Sequence, residues 1–200
     1  MSAGVPSLIK ADKMSRRYGQ RWVLRNLSFT VEKGSAVLLT GANGSGKTTL
    51  LSVLSSLIEP TRGRVDLFFG EAKDRSTQRQ NIEFISHSSF FYEDLTAEEN
   101  LSFVQGLVPM GMQSGVTIED ALRKVGLWAA RGDGVRQYSA GMKRRLMFAR
   151  VLLKSPTLLL LDEPFGQLDP QGVEDIQELL REIIARETTV ILASHLLEYA

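Results

Sequence analysis

The chain of 200 residues contains no cysteine. Disulfides, structural cysteine-zinc sites and a cysteine nucleophile are therefore excluded, and the composition fits a reducing compartment. Histidine is scarce as well. His87 and His195 are the only two imidazoles that could take part in catalysis or metal binding.

Neither an excess of one charge nor a long apolar run is present. Lys and Arg number 24 against 23 Asp and Glu, a net charge of +1. This balance gives no electrostatic reason to expect nucleic acid or a membrane surface as the main partner. The most apolar runs, "TLLLLD" and "TTVILAS", are far shorter than the ~20 residues that span a bilayer, and the N-terminus lacks a signal-peptide pattern. If a membrane matters, we expect another chain to cross it.

Short apolar runs alternate with helical patterns, which is typical of an α/β fold with a parallel sheet. Three stretches around positions 1–70 alternate more strictly and favour a small antiparallel sheet beside it. Helices are expected from about 96 to 127, with Thr96 as an N-cap. Strands are predicted at 35–40 and 82–86, and the continuously apolar runs 157–162 and 188–194 are predicted to be strands buried on both faces.

The octapeptide "GANGSGKT" fits the pattern G-x-x-x-x-G-K-[ST] in full, between a predicted strand and a predicted helix. Backbone N–H groups of such a loop point at phosphate oxygens, the lysine reaches the β- and γ-phosphates, and the threonine hydroxyl serves Mg²⁺. The helix is expected to place Leu50, Leu51, Leu54, Leu57 and Ile58 on one face. The predicted phosphate-binding residues are Gly41, Ala42, Asn43, Gly44, Ser45, Gly46, Lys47, Thr48 and Thr49.

Two acids follow the apolar run 157–162, at the end of a predicted parallel strand. Ligands of open α/β sheets bind at the carboxyl ends of the strands, so Asp162 and Glu163 are expected to face the phosphate loop. Asp162 suits Mg²⁺ and Glu163 suits the polarisation of an attacking water. His195 ends the next buried strand and is a candidate γ-phosphate contact. Two solvated acids and a surface histidine are the alternative interpretation.

The segment "YSAGMKRR" raises a different question. Ser139, Ala140 and Gly141 open a predicted helix, and bare N–H groups beside a serine hydroxyl form a second seat for an anion. One small domain would then carry two such seats.

Taken together, these motifs resemble the ATP-binding subunits of ATP-binding cassette (ABC) transporters. The order matches from end to end: phosphate loop 41–48, signature-like "YSAGM", acidic strand, "GQLDP" and His195. The resemblance implies a P-loop NTPase fold that binds ATP and Mg²⁺. It also implies head-to-tail pairing with a second copy or a homologous subunit, in which Ser139, Ala140 and Gly141 hold the γ-phosphate of the partner's ATP.

The resemblance further implies an integral membrane permease as a partner and a peripheral place on the cytoplasmic face of the membrane. Tyr18 is assigned as the residue that stacks on adenine, with Trp22 as a competitor. Asp169 matches the acid that touches the opposing subunit, and His195 matches the switch histidine. The expected division is one domain, 1–200, with a core of 1–87 and 143–200 and a helical subdomain of 88–142.

Two residues depart from the family's pattern. Ala140 replaces the usual second signature glycine. The contact expected there is through the backbone N–H, which alanine retains. His87 stands where the family has a glutamine that touches Mg²⁺ or the attacking water, so it is a candidate catalytic and metal-binding residue whose charge can change near neutral pH. A loop histidine facing solvent is the alternative. This histidine and "EDLTAEENL" resemble the haem-exporter ATPases of cytochrome c maturation.

The aromatic residues Phe90, Phe91 and Tyr92 follow His87. In the family this segment borders the groove that receives a helix of the membrane subunit, although the same side chains could belong to the subdomain core. Two other functions stay open: a soluble ABC ATPase that acts on DNA or the ribosome, and an assembly subunit that binds ATP with little turnover. The interval between the phosphate loop and the signature carries no heptad run, which disfavours the DNA-repair alternative. Glu163 favours hydrolysis and so disfavours the low-turnover subunit.

Overall fold

The computed structural model describes residues 6–70, 75–86, 91–108 and 114–195. Its strands are Ser7–Tyr18 (β1), Arg21–Glu32 (β2), Ala36–Leu39 (β3), Arg62–Leu67 (β4), Ile82–Ile85 (β5), Leu158–Asp162 (β6) and Thr189–Ala193 (β7). Its helices are Lys47–Leu54 (α1), Arg75–Gln80 (α2), Ala97–Leu107 (α3), Ile118–Lys124 (α4), Ala140–Lys154 (α5) and Pro170–Ala185 (α6).

The strands form two sheets, as the sequence predicts. The first is antiparallel, with the order β2-β1-β4, and the second is parallel, with the order β3-β7-β6-β5. Because β3, β6 and β7 are parallel neighbours, their carboxyl ends lie at one edge. The phosphate loop follows β3 at that edge, and Asp162 ends β6 there.

The parallel sheet is covered on both faces. Along β6, Leu158 and Leu160 pack toward α1 and the antiparallel sheet, while Leu159 and Leu161 pack among the helices on the opposite side. All four leucines are fully buried. Alternate residues of a strand point to opposite faces, so a continuous apolar run is required at this position.

Helix α6 shows the expected amphipathic pattern, and its buried face packs in the larger core. Asp169 caps its N-terminus and Pro170 occupies its first turn, a position where proline costs no hydrogen bond. The buried residues of this face recur at helical spacing: Val173, Ile176, Leu179, Leu180 and Ile183.

The described residues between β5 and β6 are largely helical. Thr96 caps α3 in a capping box with Glu99, and Thr117 forms the same arrangement with Asp120 at α4. The N-cap predicted at Thr96 is therefore present. The predicted boundary at 142/143 falls within the first turn of α5, which continues into the core, so the division into 88–142 and the remainder stays a prediction.

Helix α1 is shorter than the sequence pattern predicts. It ends at Leu54 with Ser55 as the C-cap, and Ser56 adopts a left-handed φ of 60°. The apolar face therefore ends with Leu51 and Leu54, whereas Leu57 is 63% exposed. The expectation that Leu57 continues the helical face is wrong.

Within the described ranges, none of the helices combines the length and the apolar character needed to cross a membrane.

Candidate nucleotide site

The phosphate loop joins β3 to α1 through glycines at positions where any other residue would be strained. Gly46 precedes α1 with a φ of 105°, and a Cβ there would lie 3.0 Å from Leu24 Cδ2 and 3.1 Å from Val23 Cγ1. Having no side chain, Gly46 cannot cap the helix. The first-turn N–H groups of α1 are thus left facing the loop, where the positive end of the helix dipole favours an anion.

Lys47 holds its ammonium over the loop. Its Nζ donates hydrogen bonds to the carbonyl oxygens of Gly41 at 2.6 Å and Ala42 at 3.4 Å. Two carbonyl partners curl the side chain back along its own loop. The positive charge is therefore placed beside the N-terminus of α1. The electrostatic potential of the ammonium adds to that of the helix dipole at the position that a phosphate would occupy.

Thr48 and Asp162 meet at the edge of the parallel sheet. The Thr48 Oγ1 hydroxyl donates to Asp162 Oδ2 at 2.7 Å, and Asp162 is 1% exposed. A cavity of about 370 Å³ opens above this pair. Its lining combines the loop, the acids and the tip of the β1–β2 hairpin: Tyr18, Arg21, Val23, Asn43, Gly44, Gly46, Lys47, Thr48, Thr49, Asp162 and Glu163.

Glu163 occupies a strained and well-anchored position beside Asp162. Its φ of 50° lies in the left-handed region, a conformation that costs a non-glycine residue about 1 kcal/mol or more. Its N–H donates to the Ala193 carbonyl at 2.9 Å, and its Oε1 lies 2.9 Å from His195 Nδ1. The His195 backbone N–H donates to the same oxygen at 3.0 Å. The structure thus joins the two predicted catalytic residues directly.

A buried cation lies behind this pair of acids. Arg144 of α5 is 3% exposed, and its Nη1 donates to the carbonyl oxygen of Ser86 at 3.2 Å. Burial lowers the pKa of the Arg144 guanidinium, and the negative charge of Asp162 acts against that shift. Despite this shift, arginine stays charged. Arg144 therefore offsets part of the negative charge at the carboxyl edge of the parallel sheet. Sequence reasoning missed this residue because only the fold brings α5 behind β6.

The second predicted anion seat lies outside the cavity. Ser139 caps α5, its Oγ accepting a hydrogen bond from the Met142 N–H at 3.1 Å. This cap uses an acceptor lone pair of the hydroxyl and leaves the O–H donor that an anion requires. Ser139 and Ala140 are exposed, and Gly141 is half-buried. None of the three lines the cavity around Lys47.

Asp169 is also outside the cavity and plays a structural part. Its Oδ1 accepts from the Gly172 N–H at 2.9 Å and lies 3.5 Å from Arg145 Nη2. Its side chain is 70% exposed, so it can still meet a second molecule.

The two aromatic candidates for base stacking are separated by the structure. Tyr18, at the end of β1, lines the cavity and is 49% exposed. Trp22 does not line it and is contacted by the guanidinium groups of Arg17 and Arg62. Arg21 pairs with Tyr18 across the hairpin turn and also lines the cavity. The pattern "YGQR", a two-residue turn between paired positions, could have indicated it.

His87 and Phe90 lie outside the described residues. Phe91 packs against the larger core, with Arg150 Cζ 5.6 Å from its ring centroid, and Tyr92 stands edge-on to Phe103.

A parallel sheet with a complete phosphate loop at its carboxyl edge and an aspartate on the neighbouring strand defines a P-loop NTPase. A sequence profile of the ABC transporter family matches residues 24–166. The chain therefore belongs to the ABC transporter family of ATP-hydrolysing, ATP-binding proteins.

Individual relatives support the same family assignment. The chain is 34% identical to the lantibiotic transport ATP-binding protein SrtF of Streptococcus pyogenes, over 95% of this chain and 81% of that protein. It is 36% identical to the cytochrome c biogenesis ATP-binding export protein CcmA of Nitrosococcus oceani, over 94% and 85%. A dimeric, post-hydrolysis structure of the ATP-binding cassette MJ0796 with ADP and Pi superposes with a TM-score of 0.82 at 26% identity, covering 96% of this chain and 90% of that one.

Proposed function

We propose that this chain is the Mg²⁺-dependent ATPase subunit of a membrane transporter. The observation that carries the proposal is the convergence of Lys47, Thr48, Asp162 and Glu163 on one cavity bordered by Tyr18. The loop N–H groups and Lys47 bind the phosphates, and Tyr18 stacks on the adenine.

The residues at the base of the cavity fit a magnesium ion. Thr48 Oγ1 and Asp162 Oδ2 are hard oxygen donors, already 2.7 Å apart. The hydroxyl would bind the ion and the carboxylate would hold its water shell. When bound, Mg²⁺ supplies neutralisation of charge on the β- and γ-phosphate oxygens.

Glu163 is the residue placed to polarise the attacking water. His195 contacts Glu163 Oε1 through both Nδ1 and its backbone N–H, so it fixes where the carboxylate points. The His195 side chain is half-exposed beside Glu163, which lines the cavity, and its other ring nitrogen is proposed to contact the terminal phosphate. The carboxylate thus accepts a proton from water while the histidine keeps it oriented.

Turnover needs two chains in this proposal. Ser139, Ala140 and Gly141 are exposed and remote from their own cavity, so they serve the nucleotide of a second copy or a homologous subunit. The dimeric MJ0796 cassette supports this arrangement, because the fold superposes over nearly the whole chain. Asp169 is exposed beside α6 and takes part in the same interface.

The test is release of inorganic phosphate by the purified chain, with magnesium varied at fixed ATP. We expect hydrolysis that requires Mg²⁺, is abolished by chelation and depends on ATP concentration with a Hill coefficient above 1. Binding of ATP without phosphate release over hours would instead support the low-turnover assembly subunit.

A groove between the core and the helical region is the place proposed for the membrane partner. It has a volume of about 460 Å³, with exposed Leu57 and Leu107 on its walls. On its floor, buried Glu83 pairs with Arg150 and with Lys154, whose Nζ lies 3.0 Å from Glu83 Oε2. The floor and rim therefore carry more positive than negative charge, since Arg79 also lines the groove. An apolar helix of a permease with one acidic side chain fits this chemistry.

Co-purification in mild detergent tests the groove. We expect an integral membrane protein, identified by mass spectrometry, to accompany the wild-type chain and to be lost with Leu107→Glu, because a carboxylate would be placed on the apolar wall. Phe68→Glu, at another exposed apolar site outside the groove, is the matched control and should keep the partner. Retention by Leu107→Glu would place the contact elsewhere.

Peripheral association with the cytoplasmic face of the membrane follows from such a partner. The division into a core, 1–87 and 143–200, and a helical subdomain, 88–142, forms part of the same proposal. The relative CcmA and the His87 segment favour haem as the exported substrate. SrtF, whose sequence identity to this chain is similar, is a lantibiotic transport protein. His87 is proposed to touch Mg²⁺ or the attacking water.

A further inference from the structure

The ring of Tyr18 has one face covered by a neighbouring guanidinium. Arg16 Cζ lies 4.8 Å from the centroid of the Tyr18 ring. We propose that Arg16 is a positioning residue for base recognition, which fixes the Tyr18 ring so that its uncovered face stacks on the adenine. This inference rests on the proposed function, because it assumes that Tyr18 contacts the base.

Arg16 is itself held in place from the opposite side. Its Nη1 donates to the carbonyl oxygen of Glu59 at 3.0 Å, in the connection between α1 and β4, and its Nε is shielded from solvent. The adjoining backbone is tied to the same connection, because Arg17 N–H donates to Thr61 Oγ1 and Thr61 N–H donates to the Ser15 carbonyl. A half-exposed tyrosine at a hairpin tip would otherwise sample several rotamers.

The arrangement around Trp22 shows that a nearby arginine alone does not make a base site. Arg17 and Arg62 contact the Trp22 ring at 5.6 and 5.1 Å, yet that ring lies outside the nucleotide cavity. Of these two rings, the Tyr18 ring is the one whose residue lines the cavity with the phosphate loop. Arg17 therefore provides a control that has the same charge, the same strand and an aromatic contact of its own.

The test compares two ligands, Mg-ATP and Mg-tripolyphosphate, by isothermal titration. Tripolyphosphate lacks the base, so a residue that acts through Tyr18 changes the affinity for ATP alone. We expect Arg16→Met to weaken ATP binding about fivefold, since base stacking and cation–π contacts are each of modest size. Tripolyphosphate affinity should stay unchanged, and Arg17→Met should change neither.

Two further variants complete the design. Arg16→Lys keeps the charge and loses the planar group that covers the ring, so it should weaken ATP binding and spare tripolyphosphate. In a Tyr18→Ala background, Arg16→Met should have no additional effect, which a double-mutant cycle measures. Unfolding midpoints in urea are compared for every variant, so that a loss of folding is recognised.

The opposing results are distinct. Equal weakening of both ligands by Arg16→Met would mean that Arg16 acts through its charge on the phosphates, and the inference fails. If Tyr18→Ala binds ATP as the wild type does, the base lies elsewhere and the inference fails, while phosphate release by the wild-type chain still supports the ATPase. A wild-type chain that binds neither ligand contradicts the proposed function itself.

Discussion

Replacement of Lys47 by alanine should lower the affinity for ATP about a hundredfold. Two contributions are lost together: a charge-assisted hydrogen bond to phosphate, worth about 1.5–3 kcal/mol, and the positive charge that adds to the helix dipole. The Lys47 ammonium lies over the loop, within 2.6 Å of the Gly41 carbonyl. Equilibrium dialysis or titration calorimetry measures the change.

Lys33 provides the matched control for this substitution. It is an exposed lysine in the turn before β3, and its backbone N–H, rather than its side chain, bonds Pro6. Lys33→Ala removes the same charge and should leave ATP binding unchanged. Tight ATP binding by Lys47→Ala would mean that the phosphates are not held at this loop.

Replacement of Glu163 by glutamine should reduce hydrolysis by about a thousandfold, the scale of a lost general base. ATP binding should persist, because the phosphate loop and Asp162 are intact. With hydrolysis blocked, the nucleotide-loaded dimer should accumulate and double the solution mass of 22.2 kDa when ATP is added. Light scattering after size exclusion, with and without ATP, records this shift.

An exposed glutamate of α6 controls for the change of charge. Glu174→Gln should hydrolyse ATP as the wild type does and show no ATP-dependent accumulation of dimer. A Glu163→Gln chain that binds ATP and remains monomeric would contradict two-chain turnover. One that hydrolyses ATP at the wild-type rate would remove Glu163 from its proposed role.

The sequence predicts the parts of this site that depend on neighbouring residues along the chain. The phosphate loop, the buried β6 and the Thr96 cap each follow from local patterns whose physical requirements leave few alternatives. Helix α1 shows the limit. The apolar spacing continues through Leu57, but Ser55 and Ser56 end the helix, and periodicity does not register a C-cap.

Contacts between segments that are distant along the chain could not be predicted from the sequence alone. Arg144 lies behind Asp162 and contacts the end of β5 because α5 packs on the sheet, and no local pattern states that packing. The positions of Tyr18 and Trp22 likewise depend on the hairpin, which places Tyr18 on the cavity wall and the Trp22 ring beside two arginines.

Helix α5 connects two separate surfaces of the molecule. Its N-terminus displays Ser139, and its last turns contribute Arg150 and Lys154 to the groove proposed for the membrane partner. Fifteen residues of α-helix are about 22 Å long, so the helix is a stiff rod between these surfaces. A push that tilts it by about 5° at the groove moves the serine end by about 2 Å, more than a hydrogen bond tolerates. Under the proposed function, mechanical leverage along this one helix would link contact with the membrane partner to the contact of Ser139 with the second chain's nucleotide.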